Sequence, residues 1–279
     1  MQRAEQVEVE FVDGHSTLEC TRFIPSIRGI RGGPIPSVVN GELHMSKTIV
    51  VLGATRGTGS LATEALLAQG RRVRVVARNA EKAHRLFSGR VEVHQADLAR
   101  PGGVLDEALA GADGVIFTAG VPPGPAREAS LEEVDYGGLV ATVRAAERAG
   151  LTGRFVYMTT MGIHRQTWLT RTLNVVKWNL LAWRRAAEEA LLASNLDGAV
   201  VRAGLLTNGP SPAGLDLAQG DRPVTLARTL SRADAARVLV AALEVPAGAR
   251  DVSVFGAAGS PPPSDDALRA LLGRGARSA

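Results

Sequence analysis

The sequence predicts an α/β domain: a doubly wound parallel sheet of about seven strands with helices on both faces. Three observations carry that expectation. From Lys47 onward, short β-branched or apolar runs alternate with helical patterns at the spacing of β-α-β units. The runs are too short to cross a bilayer, which takes about 20 apolar residues as a helix, and they suit strands covered on both faces. The first run passes directly into a glycine turn, Gly53-Ala54-Thr55-Arg56-Gly57-Thr58-Gly59, and then into a helix face made by Leu61, Ala62, Ala65 and Leu66.

Taken in order, residues 1–44 differ from the rest. An acidic opening (Glu5, Glu8, Glu10, Asp13) leads to the Gly/Pro-rich stretch Ile27–Pro36 without a periodic apolar face, so a disordered or peripheral extension is expected, with a natural start at Met45. Its acids and its lack of an apolar core fit neither a signal peptide nor a mitochondrial presequence. The main domain is expected over 45–260, with 261–279 as its C-terminal helix and tail. Strands are predicted at Thr48–Leu52, Arg72–Ala77, Val91–His94, Gly114–Phe117, Arg154–Met158, Ala199–Val201 and Asp251–Phe255. Helices are predicted at Gly59–Gln69, Val104–Leu109, Tyr136–Ala149, Leu173–Ser194 and Arg232–Leu243, with Gly70 and Gly150 at helix C-caps. The Gly/Pro-rich segments 122–133 and 207–224 are expected as loops at the C-terminal rim of the sheet, where an open α/β sheet holds its ligand.

Composition narrows the function classes. With 45% apolar and 22% charged residues the chain reads as an ordinary globular protein. Cys20 is the only cysteine, which excludes an internal disulfide and a multi-cysteine metal site and suits a reducing compartment, so no metal and a cytoplasmic location are expected. The net charge of +4 comes from dispersed residues without a Lys/Arg run, so neither nucleic acid nor membrane is an expected partner. A small-molecule substrate is expected, on a monomer or homodimer.

The glycine turn carries the chemistry. Gly53 permits a tight exit from the strand, and Gly57 and Gly59 let backbone and helix approach a pyrophosphate, whose charge suits the free N–H groups and dipole of the helix N-terminus. Thr55 and Thr58 lie in the same turn. The spacing G-x-x-x-G-x-G departs from the common G-x-G-x-x-G fingerprint, and the competing reading is a purely structural turn. Where an acid at the end of the second strand would bind a ribose 2′-hydroxyl, this chain has Arg78, and Arg56 lies inside the turn. Two guanidiniums beside one pocket suit a 2′-phosphate, so NADP(H) is the expected cofactor; a pair of solvated surface arginines is the bland alternative.

With these residues in hand, the chain resembles the atypical branch of the short-chain dehydrogenase/reductase superfamily, the NmrA-like NAD(P)H-binding proteins with a Rossmann fold, over about Ser46 to Ser260. Gly53–Gly59 matches the nucleotide loop, and Gln95-Ala96-Asp97-Leu98 is similar to the motif after the third strand, whose aspartate contacts adenine. Thr118-Ala119-Gly120 is similar to the turn that runs along the cofactor. Val134–Gly138, Arg154–Thr160, Glu188–Gly204 and Ser231-Arg232-Ala233-Asp234 follow in family order.

The resemblance also implies a mechanism: a Ser/Thr after the fifth strand and a Tyr-x-x-x-Lys pair on the next helix, the Tyr donating a proton to the substrate oxygen. Thr160 stands for the Ser/Thr, but the Tyr position falls on Leu180 and the Lys position on Arg184. Leucine donates no proton. Arg184 is then a candidate for holding the nicotinamide ribose or an anionic substrate, and His164 or water for supplying the proton, against the plain reading of a surface histidine. The basic, Trp-bearing helix Leu173–Ser194 (Trp178, Trp183) reads as core packing with a solvated face, a substrate-pocket wall, a subunit interface or a membrane-surface segment. Two functions follow: an NADPH-dependent reductase of a small carbonyl, quinone or similar electrophile, or a catalytically weak NADPH-sensing regulatory protein.

Overall fold

A computed structural model describes residues 37–39, 42–44, 47–121, 128–176, 179–209, 214–245, 250–257 and 263–274. The chain divides into two units, Met1–Met45 and Ser46–Ala279. The described part of the first is an antiparallel hairpin of β1 (Ser37–Val39) and β2 (Glu42–His44). Residues 1–36 of the expected extension lie outside the described residues, as do Lys177 and Trp178.

In the second unit the chain enters at β3 (Thr48–Leu52), crosses through α1 (Gly57–Ala68) to β4 (Arg72–Ala77) and through α2 (Ala80–Phe87) to β5 (Glu92–Gln95). Helix α3 (Val104–Leu109) returns it to β6 (Gly114–Phe117), on the other side of β3. A short α4 (Glu128–Leu131), a π-helical stretch at Glu132–Gly137 and α5 (Gly138–Arg148) lead to β7 (Phe155–Thr160). Then α6 (Trp168–Val176) and α7 (Leu180–Leu192) lead to β8 (Gly198–Ala203). Beyond it come β9 (Leu205–Thr207), β10 (Gly214–Gln219), β11 (Thr229–Ser231), α8 (Arg232–Leu243), β12 (Asp251–Ala257) and α9 (Asp265–Arg274).

The main sheet has eight strands in the order β10-β12-β8-β7-β6-β3-β4-β5, every neighbouring pair parallel except β10 with β12. The strand order reverses at β3, between β4 and β6, and the C-terminal ends of strands at such a switch point are where an open α/β sheet holds its ligand. Strand alternation divides the core. Ile49 and Val51 pack with Ala62 and Leu66 of α1, Phe87 of α2, the apolar face of α8, and Leu268 and Leu272 of α9. Val50 and Leu52 face the other way, onto Leu105 of α3, Leu139 and Val143 of α5 and Leu191 of α7. Each aliphatic side chain so buried contributes about 1.5–3 kcal/mol, which makes β3, buried on both faces, the natural centre of the sheet.

The doubly wound parallel sheet is therefore as expected, and the expected seven strands are its parallel members. Three local differences have physical causes. The 207–224 loop contains β10, where Leu215 and Leu217 flank the exposed Asp216 and the strand pairs antiparallel onto β12, covering what would be an open sheet edge. Helix α2 was not expected, because it exposes all but Ala83, Phe87 and a half-buried first residue; its start is set by Asn79, whose Oδ1 accepts from Lys82 N at 2.7 Å. The predicted helix Leu173–Ser194 is two helices, since Asn179 adopts a left-handed conformation (φ 61°) before α7. Among the described residues no helix is long and apolar enough to cross a membrane.

Candidate functional site

The switch point brings the glycine turn and the Thr118–Gly120 turn into direct contact. Gly53 has φ +88°, and a Cβ there would lie 2.6 Å from Ala119 N, so the residue must be glycine on both conformational and spatial grounds. At Gly59 a Cβ would meet Gly53 O at 2.3 Å and Thr118 Oγ1 at 2.4 Å. Helix α1 thus starts pressed against the ends of β3 and β6. Thr118 locks the arrangement, its backbone N–H and its hydroxyl both donating to Leu52 O at 2.9 and 3.0 Å.

The start of α1 has no side-chain cap and no acidic residue in its first turn. Its first N–H groups keep their charge-attracting field, and the Thr58 hydroxyl, buried in the same turn, has no hydrogen-bond partner. Both features fit the phosphates of a dinucleotide. By contrast, α2 and α8 are capped by Asn79 and Ser231.

On the β4 and β5 side of the turn, Arg78 directly follows β4 with its side chain exposed, and its carbonyl accepts from Gln95 Nε2 at 3.3 Å. Asp97 is exposed just past β5 and closes a turn by accepting from Ala99 N at 3.1 Å. Leu98 is buried against Gly138 at the start of α5. Arg56, also exposed, donates to the Gly120 carbonyl at 3.0 Å, on the β6 side of the turn rather than the β4 side where Arg78 lies. Because Arg56 is exposed and its acceptor carries no charge, this bond is weaker than the pairing of opposite charges a phosphate offers, so the rotamer is readily exchanged.

The other rim is built on buried charge. Thr160 ends β7, half-buried and in register with Ala203. Arg184, its side chain 23% exposed, is paired: its Nε donates to Asp135 Oδ1 at 3.1 Å, and Asp135 Oδ2 accepts from Val121 N at 2.8 Å. Burial works against the Arg184 charge, but Asp135, joined by Tyr157 and Glu188, holds the guanidinium above its ordinary range. The pair therefore fixes the Gly120–Val121 turn. Leu180 is buried, 3% exposed, at the first position of α7. Tyr157 does not replace the missing phenol, because its ring is buried in the core and burial pushes its hydroxyl above the usual range, against the pull of Arg184.

His164 is half-exposed and has a buried partner, its Nε2 lying 3.4 Å from Glu188 Oε2. Glu188, 1% exposed, also accepts from Nε of the buried Arg202 at 3.1 Å on both oxygens, and Arg202 Nη1 reaches Asp251. Burial pushes the Glu188 carboxyl up, while Arg202 and His164 draw it back. The loop carrying His164 is shaped by Asp221, whose carboxylate accepts from the backbone N–H groups of Gly162, His164 and Arg165 at 2.7, 2.7 and 2.9 Å. Sequence reasoning missed Asp135, Glu188, Asp221 and the inward turn of Arg202. A legible signal existed for two of them: Arg202 interrupts an apolar strand and Glu188 an apolar helix face, and a charge in such a place needs an opposite charge.

A family described as NAD(P)H-binding matches residues 53–246, from the first glycine of the turn to just past α8. The chain belongs to this NAD(P)H-binding family. Its fold relatives are atypical short-chain dehydrogenase/reductase and epimerase-like Rossmann proteins. Protein TIC 62, chloroplastic, of Pisum sativum is 30% identical over 180 residues, 56% of this chain and 32% of that protein. The Oryza sativa protein of the same name is 28% identical over 212 residues, 67% of this chain and 41% of that protein, so the chain spans less than half the length of these curated relatives. Among solved structures, a putative NAD-dependent epimerase/dehydratase from Bacillus halodurans aligns with TM-score 0.66 at 21% identity, covering 82% of this chain and 100% of that one. ChuY, an anaerobillin reductase from Escherichia coli, aligns with TM-score 0.62 at 23% identity, covering 77% and 100%. A short-chain dehydrogenase/reductase from Veillonella parvula in complex with NADP gives 0.60 at 20% identity, covering 77% and 97%.

For this NAD(P)H-binding chain the Asp135–Arg184 pair is expected to hold the β6 turn in shape. Asp135→Asn should lower stability in urea denaturation by about 1.5–3 kcal/mol, since it leaves the Arg184 charge without its counter-charge. An unchanged unfolding midpoint would show the pair to be idle.

Proposed function

We propose that the protein is an NADPH-dependent reductase of a small carbonyl, quinone or similar electrophile. The observation that carries the reading is the uncapped, acid-free start of α1 inside a glycine turn, with Arg56 exposed in that turn and Arg78 exposed at the end of β4. The backbone N–H groups from Gly57 to Gly59 and the Thr58 hydroxyl would hold the pyrophosphate, and Thr55 and the Thr118–Gly120 turn would line its path. Arg78, joined by Arg56 after it leaves Gly120, would grip a 2′-phosphate. Asp97 and Leu98 sit past β5, where the adenine would lie. The NADP-bound Veillonella protein and the reductase from E. coli, which share the fold, agree with this choice of cofactor and chemistry.

When bound, NADPH supplies a hydride. The proton must come from this chain or from water, and Leu180 removes the usual donor. His164 is the best candidate: its side chain is 42% exposed, and its Nε2 lies 3.4 Å from the buried Glu188 carboxylate, which orients the imidazole. Thr160, at the end of β7, would orient the substrate oxygen, and Arg184 acts from beneath by fixing the Gly120–Val121 turn. The single cysteine suits a reducing compartment such as the cytoplasm.

Purified protein is expected to oxidise NADPH when offered a panel of carbonyls and quinones, with kcat falling about 100-fold in His164→Gln. Tight NADPH binding with no turnover on any acceptor would instead favour a regulatory protein that senses the cofactor. Replacing Arg56 and Arg78 with alanine is expected to weaken NADPH at least about tenfold more than NADH in fluorescence titration. Equal losses for the two cofactors would show that these arginines do not read the 2′-phosphate.

A further inference from the structure

Arg232 begins α8, far along the chain from the glycine turn, yet its side chain crosses that turn. A Cβ on Gly57 would lie 3.3 Å from Arg232 Nε and 3.6 Å from its Cδ, so the side chain runs directly over the first residue of α1. Gly57 has φ +54°, and with no side chain of its own it leaves room for the guanidinium. Arg232 Nη1 donates to Asn208 Oδ1 at 2.7 Å, which holds the fork just past β9. Both helices lie on the same face of the sheet and share one core, Ala62 and Leu66 of α1 packing with Val238 and Leu239 of α8. The placement is set by that core rather than by a flexible loop.

The electrostatics of this arrangement are unfavourable without an anion. A cation lies against the positive end of a helix dipole, and among the described residues it forms no ion pair with a carboxylate; its one hydrogen-bond partner there is the neutral Asn208 amide. Arg202, Arg184 and Arg237 each have acidic partners. Ser231, next to Arg232, caps α8 by accepting from Asp234 N at 3.0 Å, and donates to the Asp234 carboxylate at 2.6 Å, so Asp234 is occupied by the cap. A group carrying negative charge between Arg232 and the α1 amides would satisfy both at once.

We propose that Arg232, held by Asn208, is a third arginine of the cofactor site and closes over the pyrophosphate from the side opposite the α1 amides. The inference rests on the reading that a dinucleotide occupies the glycine turn, and it assigns a different task from that of Arg56 and Arg78. The pyrophosphate is common to NADH and NADPH, so Arg232 contributes affinity without selecting between them, whereas Arg78 and Arg56 select.

The test compares full-length protein with Arg232→Gln in calorimetric titrations with NADPH, NADH and adenosine 2′-monophosphate, the last lacking a pyrophosphate. The expected result is a loss of about 10- to 100-fold for both dinucleotides with unchanged affinity for the monophosphate, which also shows that the variant is folded. Unchanged dinucleotide affinity would overturn the proposal. So would a loss confined to NADPH, or an equal loss for all three ligands, the signature of a merely structural arginine. If the unaltered protein binds neither dinucleotide, the reading of the glycine turn fails and the Arg232 proposal falls with it.

Discussion

The close approach of α1 to the ends of β3 and β6 governs the geometry of the whole site. It is possible because Gly53 and Gly59 carry no side chain: a Cβ at either would fall within 2.6 Å of backbone or of the Thr118 hydroxyl. The approach has two consequences. It sets the first N–H groups of α1 at the switch point of the sheet, uncapped and with no acidic residue in the first turn. It also brings the β3 and β6 turns into direct contact, a Cβ at Gly53 falling 2.6 Å from Ala119 N. The rest of the sheet supports this junction, with β3 buried on both faces and helices packed above and below it.

Buried charge shapes the remaining walls. Asp135 with Arg184 fixes the turn after β6, Asp221 gathers three backbone amides of the loop after β7, and Glu188 links His164 to Arg202 and Asp251. Such groups are costly to bury and add little net stability when paired, so their value lies in specifying one arrangement of loops that otherwise have few apolar anchors. The charge of Arg184 is thus directed to Asp135 and to the turn that carries Gly120.

Much of the fold was legible because β3 and its parallel neighbours are short, apolar and bounded by turn residues, signals that depend on local sequence alone. The glycine turn was legible for the same reason. What was not legible depends on partners distant in sequence. Arg202 carries no local sign of its orientation, yet its guanidinium turns inward to Glu188, and only the packing of α7 under β8 decides that. Arg56 was expected beside Arg78 and instead reaches Gly120, a choice between two nearby acceptors that spacing does not encode. Strand β10 escaped notice because glycine and proline around Leu215 and Leu217 masked a two-residue alternation that gains its meaning from the edge of β12.

The central claim is that the backbone amides at the start of α1 hold a pyrophosphate. The most direct measurement follows the amide resonances of Thr58, Gly59 and Ser60 during titration with NADP⁺ by heteronuclear NMR. They are expected to move with saturation, while those of α9, at the far side of the helical layer, stay in place. Stationary resonances for all three at saturating nucleotide would contradict the claim.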